Sequence, residues 1–172
     1  MAKSKNIRIG REVLRIEAEA VSNLRRKIGD SFDTAVELIF ECSGRVVVTG
    51  MGKSGLISQK IASTLASTGT PAQFVHPSEA VHGDLGMVTG NDVVLAISNS
   101  GETHEIIQLM PAFQRLGVKV IAFVGRVDGK VAAMSDAVID VSVEREACTL
   151  DLAPTASTTA TLALGDALAI AL

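Results

Sequence analysis

Residues 45–55, RVVVTGMGKSG, hold the pattern that decides the fold class. A short, mostly apolar run leads into a glycine-rich turn, and apolar residues then recur at helical spacing, at Ile57, Ile61 and Leu65. Strands that are apolar along their whole length are typical of sheets covered on both faces. The stretch therefore predicts a buried strand, a loop at its carboxyl end and a helix that crosses back over the sheet.

The same succession of strand, loop and helix recurs down the chain. Apolar runs predict five strands, at residues 45–49, 72–75, 92–97, 119–124 and 137–141. Strands that alternate with helices form parallel sheets through right-handed crossovers. We therefore predict an α/β fold, a three-layer sandwich with a flavodoxin-like five-stranded parallel sheet and helices on both faces. Pro111 lies in the helix after the third strand and is expected to kink or break it.

Two helices are predicted ahead of the sheet. Apolar residues recur at three- and four-residue steps from Ile9 to Ile28, which indicates an amphipathic helix. A second helix, at about residues 31–42, is expected to bury Phe32, Val36, Ile39 and Phe40. Residues 1–43 would then be a helical extension and residues 44–172 the α/β core of a single domain.

Composition excludes several classes of protein. The 172 residues are 47% hydrophobic and 20% charged, which is typical of a compact globular domain. A net charge of −3 and the absence of Trp and Tyr argue against a nucleic-acid partner. The longest apolar tract, at the C-terminus, is too short for a membrane span and contains Asp166. Cys42 and Cys148 lack metal or redox spacing, so we expect two buried thiols in a reducing cytoplasm.

The turn at residues 50–55 matches the GxGxxG pattern of dinucleotide-binding sites. Such a site needs an acidic residue about twenty positions later, where this chain has Val75, His76 and Pro77. The turn also lacks the first glycine of a phosphate-binding P-loop, because Val47 stands in that place. Lys53 remains to be explained, since packing gives little reason for a cation inside a glycine turn.

Three loops are predicted at the carboxyl edge of the sheet, where open α/β sheets bind ligands. They are residues 50–55, 98–103 (SNSGET) and 144–161, the last of which contains the hydroxyl-rich run PTASTTAT. Each leads into a helix N-terminus, whose N–H groups favour an anion. Hydroxyl and N–H groups together bind phosphate without a large basic patch, so a phosphate site is predicted here.

Charged and imidazole side chains lie close to these loops. Glu105 starts a predicted helix and Glu146 follows the last strand, so each is either a candidate base or an ordinary surface charge. His76 and His82, six residues apart, could contact a substrate or a metal. A third ligand with zinc spacing is not recognisable, which argues against a structural metal site.

Several segments together resemble one family. TGMGKSG, STGTPAQFVHPSEAVHGDLGM, AISNSGET, EREAC and LAPTASTTATLALGDALA are similar, in register, to the sugar isomerase (SIS) domain of arabinose 5-phosphate isomerases. The resemblance covers nearly the whole chain from about Arg11 onward. It implies an enzyme that interconverts D-ribulose 5-phosphate and D-arabinose 5-phosphate for 3-deoxy-D-manno-octulosonate and lipopolysaccharide synthesis. It also implies a cytoplasmic homotetramer.

The resemblance further implies the site residues. Lys53, Glu105 and Glu146 match catalytic positions of the family. The implied substrate-binding residues are Ser54, Gly69, Thr70, His76, His82, Ser98, Asn99, Ser100 and Thr103. Among these, the hydroxyls of Ser54, Ser98, Ser100 and Thr103 match phosphate-binding positions. His76 also matches a position at which family members take zinc, which tends to inhibit, and no cofactor is required.

The family chemistry agrees with the residue types. Aldose–ketose isomerisation needs a carboxylate base, and a cation that stabilises the negative charge of an ene-diolate. Lys53 fits the second role, and Glu105 and Glu146 remain alternatives for the first. Family members usually continue into a Ser-His-Pro-Gly-Gly segment with a further catalytic histidine, and then into CBS domains. This chain stops at Leu172, so a truncated C-terminus is expected.

Two questions stay open at this point, the activity and the assembly. The alternative function is a non-catalytic sugar-phosphate-binding SIS module, as in bacterial regulators. Those regulators also carry a helix-turn-helix domain, for which the N-terminal extension of this chain is too short. The last helix, TLALGDALAIAL, is apolar on nearly every face. Such a helix must be buried on all sides, so we expect a homo-oligomer, with the apolar termini at its interface.

Overall fold

The five predicted strands form one parallel sheet in the computed structural model, which describes residues 2–148, 150 and 152–172. The strand order is β2-β1-β3-β4-β5, the order of flavodoxin-like folds. In the register, Val46 of β1 lies opposite Ala72 of β2 and Val93 of β3. The strands are β1 (Val46–Gly50), β2 (Ala72–Phe74), β3 (Val93–Ser98), β4 (Lys119–Val124) and β5 (Ala137–Asp140).

Helices cover both faces of the sheet, which confirms the predicted three-layer sandwich. They are α1 (Ala2–Leu24), α2 (Asp30–Phe40), α3 (Gly52–Ser67), α4 (Pro77–Val81), α5 (His104–Leu116), α6 (Lys130–Ala133) and α7 (Ala156–Ala171). Successive strand residues point to opposite faces. Val46 and Val48 therefore pack in the core layer with α1, α2, α3 and α7, whereas Val47 packs in the layer with α4, α5 and α6.

Four local predictions differ from the structure. Helix α5 continues unbroken through Pro111, which is exposed, so that water can replace the missing N–H donor. Phe40 is 79% exposed rather than buried, because Ile39 takes the core-facing position at the end of α2. Cys42 and Cys148 are of intermediate burial, not buried. Residues 76–88 (HPSEAVHGDLGMV), whose sequence predicts an irregular stretch after the second strand, form α4 and a 3₁₀ turn at Asp84–Met87.

Helix α7 is covered mainly within its own chain. It packs against α1 and α3, and a Cβ added at Gly165 would lie 2.4 Å from Ile61 of α3. Much of this apolar helix is therefore buried without another subunit, although Ile170 near its end is 76% exposed, and the oligomer stays a prediction. Helix α1 is covered only in part, because Ile16 and Leu24 are buried whereas Ile7 is 51% exposed. None of the helices in the described part of the chain combines the length and hydropathy that crossing a membrane requires.

Candidate functional site

The glycines of the 50–55 turn bring the end of β1 against the start of α3. A Cβ at Gly50 would lie 2.7 Å from the Ser58 hydroxyl oxygen, and one at Gly55 would lie 2.6 Å from the carbonyl oxygen of Gly50. Gly52 has φ +56°, a conformation that other residues rarely adopt. Each glycine therefore has a structural reason, and the GxGxxG pattern here needs no nucleotide to explain it.

A cavity of about 220 Å³ opens beside this turn, at the carboxyl edge of the sheet. It lies between the 50–55 turn, the end of β3 and the start of α7, close to the point where the chain crosses from one side of β1 to the other. Ligands of open α/β sheets bind at such a point. The cavity is lined by Met51, Lys53, Ser54, Ile57, Ile97, Asn99, Pro154, Ser157, Thr158 and Thr161.

The cavity brings together three groups that the sequence places far apart. Lys53 and Ser54 come from the first loop, Asn99 from the second, and Ser157, Thr158 and Thr161 from the hydroxyl-rich run. Ser157 and Thr161 are buried, and the Thr161 hydroxyl donates to the carbonyl oxygen of Ser157 at 2.8 Å. The result is a polar cavity with one cation and several hydroxyls in its walls.

The 98–103 loop is held by its own side chains. The hydroxyls of Ser98 and Thr103 are 2.7 Å apart and hydrogen-bonded, which closes the base of the loop. The Ser100 hydroxyl accepts the N–H of Glu102 at 3.2 Å. Asn99 contributes to the cavity wall, whereas Ser98, Ser100 and Thr103 are not among its lining residues. Ser100 is exposed at the tip of the loop, so its O–H donor faces solvent.

Glu146 caps the N-terminus of α7. One of its carboxylate oxygens accepts the N–H of Thr155 at 2.7 Å, the Thr155 hydroxyl at 3.1 Å and the N–H of Ser157 at 3.2 Å. Burial by itself raises the pKa of Glu146, but the adjacent Ser157 hydroxyl and these donors outweigh it, and the pKa is lowered. The Ser157 hydroxyl approaches the carboxylate without full hydrogen-bond geometry. Glu146 therefore stays ionised and orders the helix end that walls the cavity.

Comparison with known proteins identifies the family. The model of the SIS domain matches residues 39–171, which include the whole sheet and all three loops of the site. The chain belongs to the SIS domain family. The resemblance of its motifs to SIS domains is thereby confirmed.

The relatives of this SIS domain include longer proteins. Arabinose 5-phosphate isomerase KdsD of Shigella flexneri is 58% identical over 163 residues, which are 95% of this chain and 50% of that protein. The protein of the same name from Pseudomonas aeruginosa is 57% identical, over 91% of this chain and 48% of its own length. The chain thus spans about half the length of the curated relatives it matches.

A solved SIS structure matches almost end to end. The protein c3406 of E. coli CFT073, in complex with arabinose 5-phosphate, superimposes with a TM-score of 0.95 and 42% sequence identity. The match covers 99% of this chain and 91% of that one. The fold of this SIS domain is therefore also that of a chain of nearly the same length with a sugar phosphate bound.

Other predicted site residues of this SIS domain lie outside the cavity. Glu105 is half-buried in the first turn of α5, and His82 is exposed at the end of α4, both at the carboxyl edge of the sheet. Gly69 and Thr70 lie at the opposite edge, ahead of β2, where they line a separate depression with Pro71. Within one chain they do not reach the cavity, because the full length of the sheet lies between.

His76 offers a single candidate metal ligand. It precedes α4, its ring packs edge-on against Phe74 with ring centroids 6.2 Å apart, and its buried Nδ1 has no hydrogen-bond partner among the described residues. Over the part of the chain that the structure describes, no three His, Cys, Asp or Glu side chains come together as a metal site. The predicted zinc ion at His76 stays a prediction.

A larger groove, of about 410 Å³, lies between α1 and the segment after β5. Two of its charged side chains hold α1 in place: Lys27 pairs with Asp140 at 3.0 Å, and Arg145 with Glu12 at 3.0 Å. The pKa of Glu12 is lowered to about 2, mainly by its hydrogen bond with Arg15. We interpret the groove as a packing feature, because Lys27 and Arg145 in its wall are engaged in ion pairs within the chain.

Proposed function

We propose that this SIS domain is an aldose–ketose isomerase that interconverts D-ribulose 5-phosphate and D-arabinose 5-phosphate, for 3-deoxy-D-manno-octulosonate and lipopolysaccharide synthesis. The observation that supports it most is the cavity at the carboxyl edge, with Lys53 and three hydroxyl side chains of α7 in its wall. Arabinose 5-phosphate, the ligand of the superimposable c3406 chain, carries the anionic and hydroxyl groups that a lysine and hydroxyl side chains bind.

The reaction requires a proton to move between neighbouring carbons. A base takes the proton from C2 of the aldose, the electron pair forms the C1–C2 double bond, and negative charge collects on O1. Return of a proton to C1, with a proton moved from O2 to O1, gives the ketose. Lys53, whose exposed ammonium group lines the cavity, stabilises the charge on these oxygens. This sequence of steps needs no cofactor.

The two glutamates have different surroundings, and we assign them different roles. Glu146 is engaged by the N-terminus of α7, and its lowered pKa makes it a weak proton acceptor. We assign Glu146 a positioning role, in which it orders the part of the cavity wall that contains Ser157. Glu105 makes no side-chain hydrogen bond to any described residue and lies at the same edge of the sheet. We assign it the role of base, for a substrate whose sugar extends from the cavity along the carboxyl edge toward the first turn of α5.

An isomerisation assay tests the proposal. The chain is incubated with ribulose 5-phosphate, and the appearance of arabinose 5-phosphate is followed, with the Lys53→Ala variant prepared in parallel to reveal contaminating isomerase. We expect turnover by the unaltered chain, and at most about a hundredth of that rate with Lys53→Ala. Calorimetric binding of arabinose 5-phosphate without turnover would instead support the alternative function, a sugar-phosphate-binding module.

The Ser100→Ala variant tests the phosphate contact of the 98–103 loop. Ser100 accepts one N–H within the loop and keeps its own O–H for a ligand. Loss of a hydrogen bond to a charged oxygen is expected to weaken arabinose 5-phosphate binding by about 1–3 kcal/mol in calorimetry. Ser63→Ala, at an exposed serine of α3, is the control and should bind like the unaltered chain. Equal affinities for arabinose with and without its phosphate would contradict a phosphate site here.

We also propose that the protein is a cytoplasmic homotetramer. Exposed apolar side chains on one side of the molecule support an assembly: Leu14 of α1 is 69% exposed, and Ile170 of α7 is 76% exposed. Light scattering after size exclusion is expected to give four times the chain mass. Leu14→Glu should lower that mass, whereas Leu116→Glu, on the opposite face, should not. A monomer mass for the unaltered chain that is stable on dilution would contradict the assembly.

A further inference from the structure

Hydrogen bonds join the 98–103 loop to residues 125–131, which follow β4 and include the start of α6. The N–H of Gly125 donates to the carbonyl oxygen of Asn99 at 3.1 Å, and the N–H of Val131 donates to that of Gly101 at 3.0 Å. The N–H of Lys130 donates to the Glu102 carboxylate at 3.0 Å. Three residues of the candidate phosphate loop thus each contact residues 125–131.

Glycines let the two loops approach backbone to backbone. A Cβ at Gly129 would lie 2.6 Å from the carbonyl oxygen of Gly101, and one at Gly125 would lie 2.5 Å from both the carbonyl and the side-chain oxygen of Asn99. Gly101 has φ +68°, and its own Cβ would lie 2.8 Å from the carbonyl oxygen of Arg126. These neighbours are backbone atoms or a short amide, which cannot turn away as a long side chain does.

The carboxylate of Glu102 joins the loops through a hydrogen bond rather than through its charge. The backbone N–H of Lys130 is the main cause of the lowered pKa of Glu102, and its ammonium group, 3.4 Å away, contributes less. Both side chains are exposed, and ion pairs at exposed positions stabilise a fold only slightly. A neutral side chain of the same shape would therefore keep most of the contact.

We propose that residues 125–131 position the sugar-phosphate site by holding the 98–103 loop in its binding conformation. They do so through the close approach at Gly129 and through the hydrogen bond from the N–H of Lys130 to Glu102. The inference rests on the proposed function. Neither Gly129 nor Glu102 contacts the substrate: they act by ordering, before the ligand arrives, the loop that carries Ser100 and Asn99. A loop ordered in advance loses little conformational entropy on binding, so its benefit is in affinity.

Four variants of the full chain test this. Gly129→Ala forces the two backbones apart, and Glu102→Ala removes the carboxylate that accepts the N–H of Lys130. Both are expected to raise KM for arabinose 5-phosphate and its calorimetric Kd by about tenfold, with kcat nearly unchanged. This is the result for a loss of binding that affects the substrate and the transition state equally. Glu102→Gln keeps the acceptor oxygen and should bind like the unaltered chain. Gly29→Ala, at an open position with extended backbone, is the matched control.

The outcomes separate the inference from the function on which it rests. An unaltered chain that binds no arabinose 5-phosphate contradicts the proposed function, and the positioning role falls with it. An unaltered chain that binds, together with unchanged binding by Gly129→Ala and Glu102→Ala, overturns the positioning role alone. It is also overturned if Glu102→Gln is as defective as Glu102→Ala, or if kcat falls instead of KM rising, since either would indicate a direct contact with the substrate.

Discussion

The Lys53→Ala variant is expected to lose about two to three orders of magnitude in kcat for ribulose 5-phosphate, while its thermal unfolding stays within a degree or two of the unaltered chain. Its ammonium group lines the cavity and is exposed to solvent, so removing it leaves no buried gap. The charge that it stabilises exists only in the transition state and in the ene-diolate. The loss should therefore affect kcat more than KM.

The controls for this variant separate charge from packing. Lys60→Ala removes a second lysine of the same helix, whose exposed ion pair with Asp166 is expected to contribute little to stability. It should retain full activity. Lys53→Arg keeps the positive charge with a different shape and is expected to recover part of the rate. An unfolded Lys53→Ala protein would show that Lys53 is structural, and an active one would show that the cavity is not the reaction site.

The fold could be predicted because its signals are local. Each buried strand is a short apolar run, and the last three predicted strands begin within one residue of those observed. Parallel pairing then follows from the alternation of strands with helices, and it places the carboxyl-end loops together. The proximity of Lys53 to the hydroxyl-rich start of α7 could be predicted on that basis alone.

The features that were not predictable depend on contacts between distant residues. Whether Glu146 is a base or a helix cap depends on N–H groups at residues 155 and 157, which only the folded chain brings to it. Phe40 and Ile39 are adjacent and similarly apolar, so hydropathy cannot tell which of them faces the core. The contact of residues 125–131 with the 98–103 loop likewise has no signature beyond single glycines, which are common in turns.

Glu105→Gln is expected to lower kcat by about two to four orders of magnitude and to lower the melting temperature by no more than about 4 °C, because the lost charge lies in the first turn of α5. The amide cannot accept the carbon-bound proton, and among the described residues Glu105 makes no side-chain hydrogen bond whose loss would destabilise the fold. Glu37→Gln, at an exposed position of α2, is the matched control and should have full activity. A fully active Glu105→Gln enzyme would exclude Glu105 as the base.

Glu146→Gln is expected to lower both activity and stability, which distinguishes it from Glu105→Gln. The substitution removes the negative charge of the carboxylate that accepts three hydrogen bonds at the start of α7. The expected cost is about 1–2 kcal/mol in the free energy of unfolding. Because Glu146 has a lowered pKa in the folded chain, its contribution is complete above the ordinary glutamate pKa of about 4.3.

The stability difference between the unaltered chain and Glu146→Gln should therefore depend on pH. It is expected to be constant from neutral pH down to about pH 5, and to shrink as the pH falls through the lowered pKa, where the carboxylate of the unaltered chain becomes protonated. Urea unfolding at several pH values measures it. A difference that grows on acidification would mean that the folded chain raises the pKa of Glu146. That result would return Glu146 to consideration as the base, because a raised pKa favours proton abstraction near neutral pH.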